Sequence, residues 1–169
     1  MVLDPVAFTP IGVVRTPFPD HAGMPVQTVA AGGVRGTVEL DPAYAGALAD
    51  LDGFTHLHLI TYMHRTGGVS LRVTPYLDTV ERGVFATRSP KRPNPIGLSL
   101  VRLTGIEGTV LHVEELDLLD GTPLLDIKPY VPPFDDRPDA RYGWFEQRAQ
   151  LVHSVRADAR FAEPPQEDA

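Results

Sequence analysis

The 169-residue sequence contains no cysteine. That excludes disulfides, thiolate zinc sites, iron–sulfur clusters and a cysteine nucleophile, so any chemistry rests on oxygen, nitrogen and backbone groups. Nor is there an apolar run near the roughly 18 residues that a membrane-spanning helix needs. The opening MVLDPVAFTP lacks the basic start and apolar stretch of a signal peptide. The expectation is a soluble, cytoplasmic protein with no membrane partner. No internal repeat is visible. Hydrophobic residues at 43% and charged residues at 22% lie near the globular average, which excludes wholesale disorder and fibrous classes. The length suits one domain, expected over residues 1–155, followed by a polar, proline-rich tail over 156–169 that ends AEPPQEDA.

Proline (17) and glycine (15) are plentiful and punctuate the chain at short intervals instead of gathering in a linker. The segments between them predict strands over Phe8–Arg15, Val34–Leu40, His56–Met63, Gly83–Thr87, Leu98–Leu103, Thr109–Leu116 and Leu124–Tyr130. Seven short strands favour a barrel or a sandwich. One helix is expected after Asp41 as N-cap, with Pro42 at its first position, Tyr44, Leu48 and Leu51 at helical spacing and Gly53 past its end. A second short helix or a strand is expected around Tyr142–Val155.

The net charge of −7 is unevenly spread. Residues 61–105 hold seven Lys and Arg against two acids, a net +5, while the remainder sums to −12. A local basic region suits an anionic ligand or a phosphate backbone, and equally an ordinary solvated surface. Within it, GVFATRSPKRPNPIGLS sets Arg88, Lys91, Arg92 and Asn94 among three prolines. Proline fixes φ and restricts its predecessor, so this loop holds one shape at little entropic cost, as a preorganised binding loop would. Upstream, His56 and His58 alternate with Leu57 and Leu59 and share one strand face, from which they could chelate a metal or simply hydrogen-bond locally. No carboxylate follows at ligand spacing, so no metal set is assigned. Downstream, Asp117–Pro123 reads as a hairpin-like turn carrying Asp120-Gly121. Period two then puts Asp126, Lys128 and Tyr130 on one strand face, where they could orient a polar substrate, move a proton or form a solvent-facing ion pair.

GVVRTP, GFTHLHLI, GVFATRSPKRPNPIGLSLV and DLLDGTPLLDIKPYVP, in this order and spacing from Ile11 to Phe134, resemble the TrmO family, also called TsaA-like, VirR-like or YaeB-like. The resemblance implies a mostly β fold, a small closed or nearly closed barrel of about seven strands with one or two short helices. It also implies an S-adenosylmethionine-dependent methyltransferase, acting as a homodimer on N6 of threonylcarbamoyladenosine at position 37 of tRNA. The absence of a Gly-rich dinucleotide-type loop is then coherent, because a barrel holds its cofactor differently. Carried over position by position, the cofactor site comprises Gln27, Thr28 and Val29, His64 and Arg65, Arg88, Arg92 and Asn94, and Leu118, Leu119, Asp120, Gly121 and Thr122. Backbone groups of the 118–122 loop are expected to read adenine and Arg92 to meet the carboxylate. Asp126, Lys128 and Tyr130 are expected to face the transfer site, with Asp126 as proton acceptor or substrate orienter. Longer family members carry a further carboxy-terminal domain, whereas about 35 residues follow Phe134 here. Two alternatives of other classes are a non-catalytic S-adenosylmethionine-binding module or sensor, and a metalloenzyme built on His56 and His58.

Overall fold

In a computed structural model, which describes residues 4–162, eight strands form: β1 (Gly12–Arg15), β2 (Arg35–Leu40), β3 (His56–Tyr62), β4 (Arg72–Val73), β5 (Arg82–Gly83), β6 (Ile96–Glu107), β7 (Val110–Glu114) and β8 (Thr122–Pro129). Six of them close an antiparallel barrel in the order β1-β2-β7-β6-β3-β8, with β8 pairing back to β1, while β4 and β5 form a separate two-stranded ribbon. The mostly β, closed-barrel expectation is met with six barrel strands instead of seven. Gly83–Thr87 is the segment that differs. Only its first residue, Gly83, belongs to the ribbon; the chain then enters a 3-10 turn at Val84–Ala86, pinned because Val84 accepts from the Thr87 hydroxyl at 2.8 Å.

The inward face follows the alternation of the sequence. Leu57 and Leu59 of β3, Val14, Val38, Val101, Leu111, Val113 and Leu124 are fully or almost fully buried in one cluster, and His56 and His58 point outward between them. Each buried Leu contributes about 1.5–3 kcal/mol relative to exposure. Closing so narrow a barrel brings strands too near for a side chain at some positions. A Cβ on Gly36 would lie 2.1 Å from the Arg15 carbonyl oxygen, and one on Gly97 2.4 Å from Thr61 Oγ1.

Several local elements differ from their sequence expectation for identifiable reasons. The first strand starts at Gly12, and β6 runs on to Glu107, pairing first with β3 and then with β7 across an irregularity near Thr104. Asp41 does cap, accepting from the Ala43 N–H at 2.8 Å, but the capped segment is a 3-10 turn over Pro42–Leu48, succeeded by another over Leu51–Gly53, and through these Leu48 and Leu51 reach the core. Two 3-10 turns, Gly143–Gln147 and Ala149–Leu151, occupy the 142–155 region. Asp120-Gly121 is not a hairpin turn, since β7 and β8 are not neighbours in the barrel. Gly121 does adopt φ +75°, but its N–H donates to Val14 and that of Asp120 to Phe18, lacing the segment to the exit of β1. The hairpin proper joins β6 to β7 through Gly108, at φ +61°.

The tail is expected to start at residue 156, but its described residues are packed. Residues 156–162 pack on the loops: Ala157 exchanges hydrogen bonds with Gly23 and Met24, Phe161 is buried beside Val73 and Val84, and Ala162 bridges Thr66. The remaining tail residues, 163–169, lie outside the described ones. Among the described residues no helix is long and apolar enough to cross a membrane.

Candidate functional site

Antiparallel closure sends the ends of β1, β3 and β7 and the beginnings of β2, β6 and β8 to the same rim, as the pairings Arg15 with Thr37, Arg35 with Glu114 and Tyr62 with Ile96 require. The long 16–34 loop, the 63–71 and 84–95 segments and the 115–121 crossing therefore meet there. All thirteen cofactor positions named from the sequence lie on these segments or at the first residue of β8.

Hydrogen bonds tie the segments together. Arg88 donates to Gln27 Oε1 at 2.8 Å, which joins the proline-rich loop to the turn Thr28–Ala30, where Val29 stands exposed. The Arg65 guanidinium donates to the Pro19 carbonyl. Arg92 donates to the carbonyls of Thr87 and Ser89 at 3.2 and 3.3 Å, which holds it inside its own loop. Asn94 is exposed and accepts from the Ile96 N–H. Leu118 and Leu119 are buried, Leu118 in the barrel core and Leu119 against Met24 and Ala157. Asp120 accepts from the Thr16 N–H at 3.1 Å, and buried Thr122 donates its hydroxyl to Leu119 at 2.7 Å. The N–H groups of Asp120, Gly121 and Thr122 are thus all used within the protein, by Phe18, Val14 and Leu119. Their role is to set the rim's shape.

A crevice opens between these segments, lined by His21, Met24, Met63, His64, Arg65 and Leu119 among others. Burial and the nearby Arg65 guanidinium lower the His21 pKa, so this imidazole is neutral at physiological pH.

The least anticipated group is Asp117. Ser99 donates its hydroxyl to Asp117 Oδ1 at 2.6 Å, and the carboxylate also takes the Thr28 N–H and faces Arg88. Burial pushes its pKa up to about 6, against the opposing pull of the Ser99 hydroxyl, its backbone bonds and Arg88. A carboxyl that burial raises toward neutrality, beside the 27–29 turn and Arg88, makes this end of the rim a candidate site. In the sequence it sits inside an apparent turn, and its partners lie 18 residues or more away, so only the pattern DLLD hinted at it.

The Asp126, Lys128 and Tyr130 row stands elsewhere. Register slips at Leu125, because Ile60 pairs with Asp126 and Thr61 with Leu124, and beyond this bulge Asp126 and Lys128 share the outer wall in a 2.8 Å ion pair. Tyr130 packs edge-on against His56 and His58 and gives its hydroxyl to Asp136. β8 runs away from the rim, so Tyr130, whose N–H bonds His56, lies about six residues or roughly 20 Å from the strand end at Tyr62. Asp126, opposite Ile60, is the member nearest the rim. His56 and His58 belong to this far wall and His64 to the rim, so the strand separates them.

The donor set at the rim fits S-adenosylmethionine. Arg65, Arg88 and Arg92 suit a carboxylate, and Met24, Met63 and Leu119 give apolar contact.

The profile of the tRNA-methyltransferase O N-terminal domain matches residues 13–136, which include every rim segment. A Pyrococcus abyssi protein named as a probable S-adenosyl-L-methionine-binding protein is 46% identical over 156 residues, covering 92% of this chain and 85% of its own. The tRNA (adenine(37)-N6)-methyltransferase of Escherichia coli is 40% identical over 163 residues, covering 89% of this chain and 69% of its own. A crystal structure of TrmO from Pseudomonas aeruginosa superposes with a TM-score of 0.70 at 40% identity, over 83% of this chain and 63% of that one. The chain thus spans slightly less than two thirds of that solved structure.

Proposed function

The chain belongs to the tRNA-methyltransferase O family, and from that premise we propose that it is an S-adenosylmethionine-dependent tRNA adenine-N6 methyltransferase whose substrate is threonylcarbamoyladenosine at position 37. One observation carries this reading: the proline-rich cationic loop and the 118–122 loop, far apart in sequence, are hydrogen-bonded into one barrel rim within the family-matched span.

When bound, S-adenosylmethionine supplies an electrophilic methyl group. Gln27, Thr28, Val29, His64, Arg65, Arg88, Arg92 and Asn94, together with Leu118–Thr122, would hold it. Methyl transfer to nitrogen needs alignment and the loss of one proton from the acceptor, so positioning accounts for most of the rate. The rim is suited to this because hydrogen bonds within the protein hold its loops together. Arg88 closes the 27–29 turn through Gln27, beside the Asp117 carboxyl that Ser99 holds. Asp126 is the proposed proton acceptor, with Lys128 holding its carboxylate by the 2.8 Å ion pair and Tyr130 fixing the far end of the strand.

A homodimer in the cytoplasm completes the proposal, since two copies would present two basic 61–105 regions to one RNA. The test is transfer of labelled methyl to tRNA with and without the threonylcarbamoyl group, followed by nucleoside analysis. Incorporation at N6 of the modified adenosine is the expected result. Saturable cofactor binding with no transfer to either tRNA would overturn the reading in favour of a binding module.

A further inference from the structure

Phe85 stands out on the rim. The residue is 77% exposed, the highest exposure among the large hydrophobic residues described. Mobility does not explain this, because the turn that carries it is fixed on both sides. Buried Val84 packs with Val73 and Phe161 and donates its N–H to Leu71. Trp144 donates its indole N–H to the Ala86 carbonyl at 2.7 Å, and Arg92 holds the Thr87 carbonyl. The Arg92 guanidinium lies 5.9 Å from the ring centroid, and Arg88, Lys91 and Arg92 make no ion pair with a carboxylate within 4 Å among the described residues. A rigidly mounted, solvent-facing aromatic ring in a cationic loop is the arrangement by which proteins stack unpaired bases while tracking a phosphate backbone.

We propose that Phe85 is a stacking platform for an unpaired nucleobase of the RNA substrate, with Lys91, the cation of this loop outside the cofactor set, receiving an adjoining phosphate. The inference rests on the tRNA reading above and adds the residue that grips the strand. Arg92 is anchored by Thr87 and Ser89 carbonyls independently of the ring, so removing the ring leaves the cofactor positions in place.

The experiment measures binding of a fluorescein-labelled tRNA carrying threonylcarbamoyladenosine at position 37 by anisotropy, for the wild type and for Phe85→Ala, Phe85→Leu and Phe85→Trp. S-adenosylmethionine affinity by calorimetry and the sedimentation coefficient are followed in parallel. Loss of a stacked base weakens binding about 5- to 100-fold in Phe85→Ala. Phe85→Trp should bind like wild type, and Phe85→Leu, apolar but without a π-face, should stay weak. Cofactor affinity and sedimentation should not change. An Ala variant within twofold of wild type, a Leu variant that binds fully, or a sedimentation shift showing that the ring packs on a second copy would each overturn the proposal. If the wild type itself neither binds nor methylates this tRNA, the proposed function fails with it; wild-type methylation with an indifferent Phe85→Ala refutes the stacking role alone.

Discussion

Replacing Asp117 with asparagine separates its charge from its shape. The amide keeps an oxygen for the Ser99 hydroxyl but cannot ionise. In the folded protein the carboxyl titrates at about 6, against an ordinary value of 3.8. Between those two values the folded state binds more protons than the unfolded chain, so the contribution of this group is fully present below about pH 4. It is lost as pH rises through about 6. Integrated over that shift, ionising the buried carboxyl costs about 3 kcal/mol at neutral pH. Asp117→Asn escapes that cost. The stability of the variant relative to wild type should therefore rise by about 3 kcal/mol between pH 4 and pH 7, or about 6–12 °C in Tm for a chain of this size. Denaturant melts of both proteins at half-unit pH steps give the difference directly, because carboxylates common to both cancel. A difference that stays flat across this window would refute the assignment of an elevated pKa to Asp117.

Three further outcomes are expected. Arg92→Ala should weaken S-adenosylmethionine binding in calorimetry while leaving Tm near wild type, since its hydrogen bonds stay within one surface loop; unchanged affinity removes Arg92 from the cofactor site. Asp126→Asn should lower methyl transfer and flatten its acid limb without changing cofactor affinity, and full turnover with the wild-type pH profile would deny it the proton-acceptor role. Leu59→Ala, at a fully buried position of β3, should cost about 2–5 kcal/mol in a urea melt, and a loss below about 1 kcal/mol would mean the barrel interior is not packed as described.

The residues that dictate a small β fold were legible in the sequence. Leu57 and Leu59 alternating with His56 and His58, and the dense proline and glycine punctuation, specify short strands because a pleated chain has a period of two and turns need these residues. The proline-rich loop and DLLDGT carried the family resemblance because their composition is unusual enough to stand out without any fold. Local pattern could not supply partners. Asp120-Gly121 has the chemistry of a hairpin, yet strand order made it a crossing between non-neighbouring strands, with donors spent on Val14 and Phe18. Gly83–Thr87 looked extended, but burial of Val84 beside Phe161 turned it into the short 3-10 turn that presents Phe85. Asp126, Lys128 and Tyr130 shared a face in the chain, and the bulge at Leu125 with the direction of β8 set that face on the outer wall, carrying Lys128 and Tyr130 away from the rim and leaving Asp126 nearest to it. Asp117 shows the same limit most plainly. Its identity is local, but its desolvation and its bonds to Ser99 and Thr28 come from residues far along the chain. Closure of the barrel brings them together, and so only the tertiary structure sets its protonation.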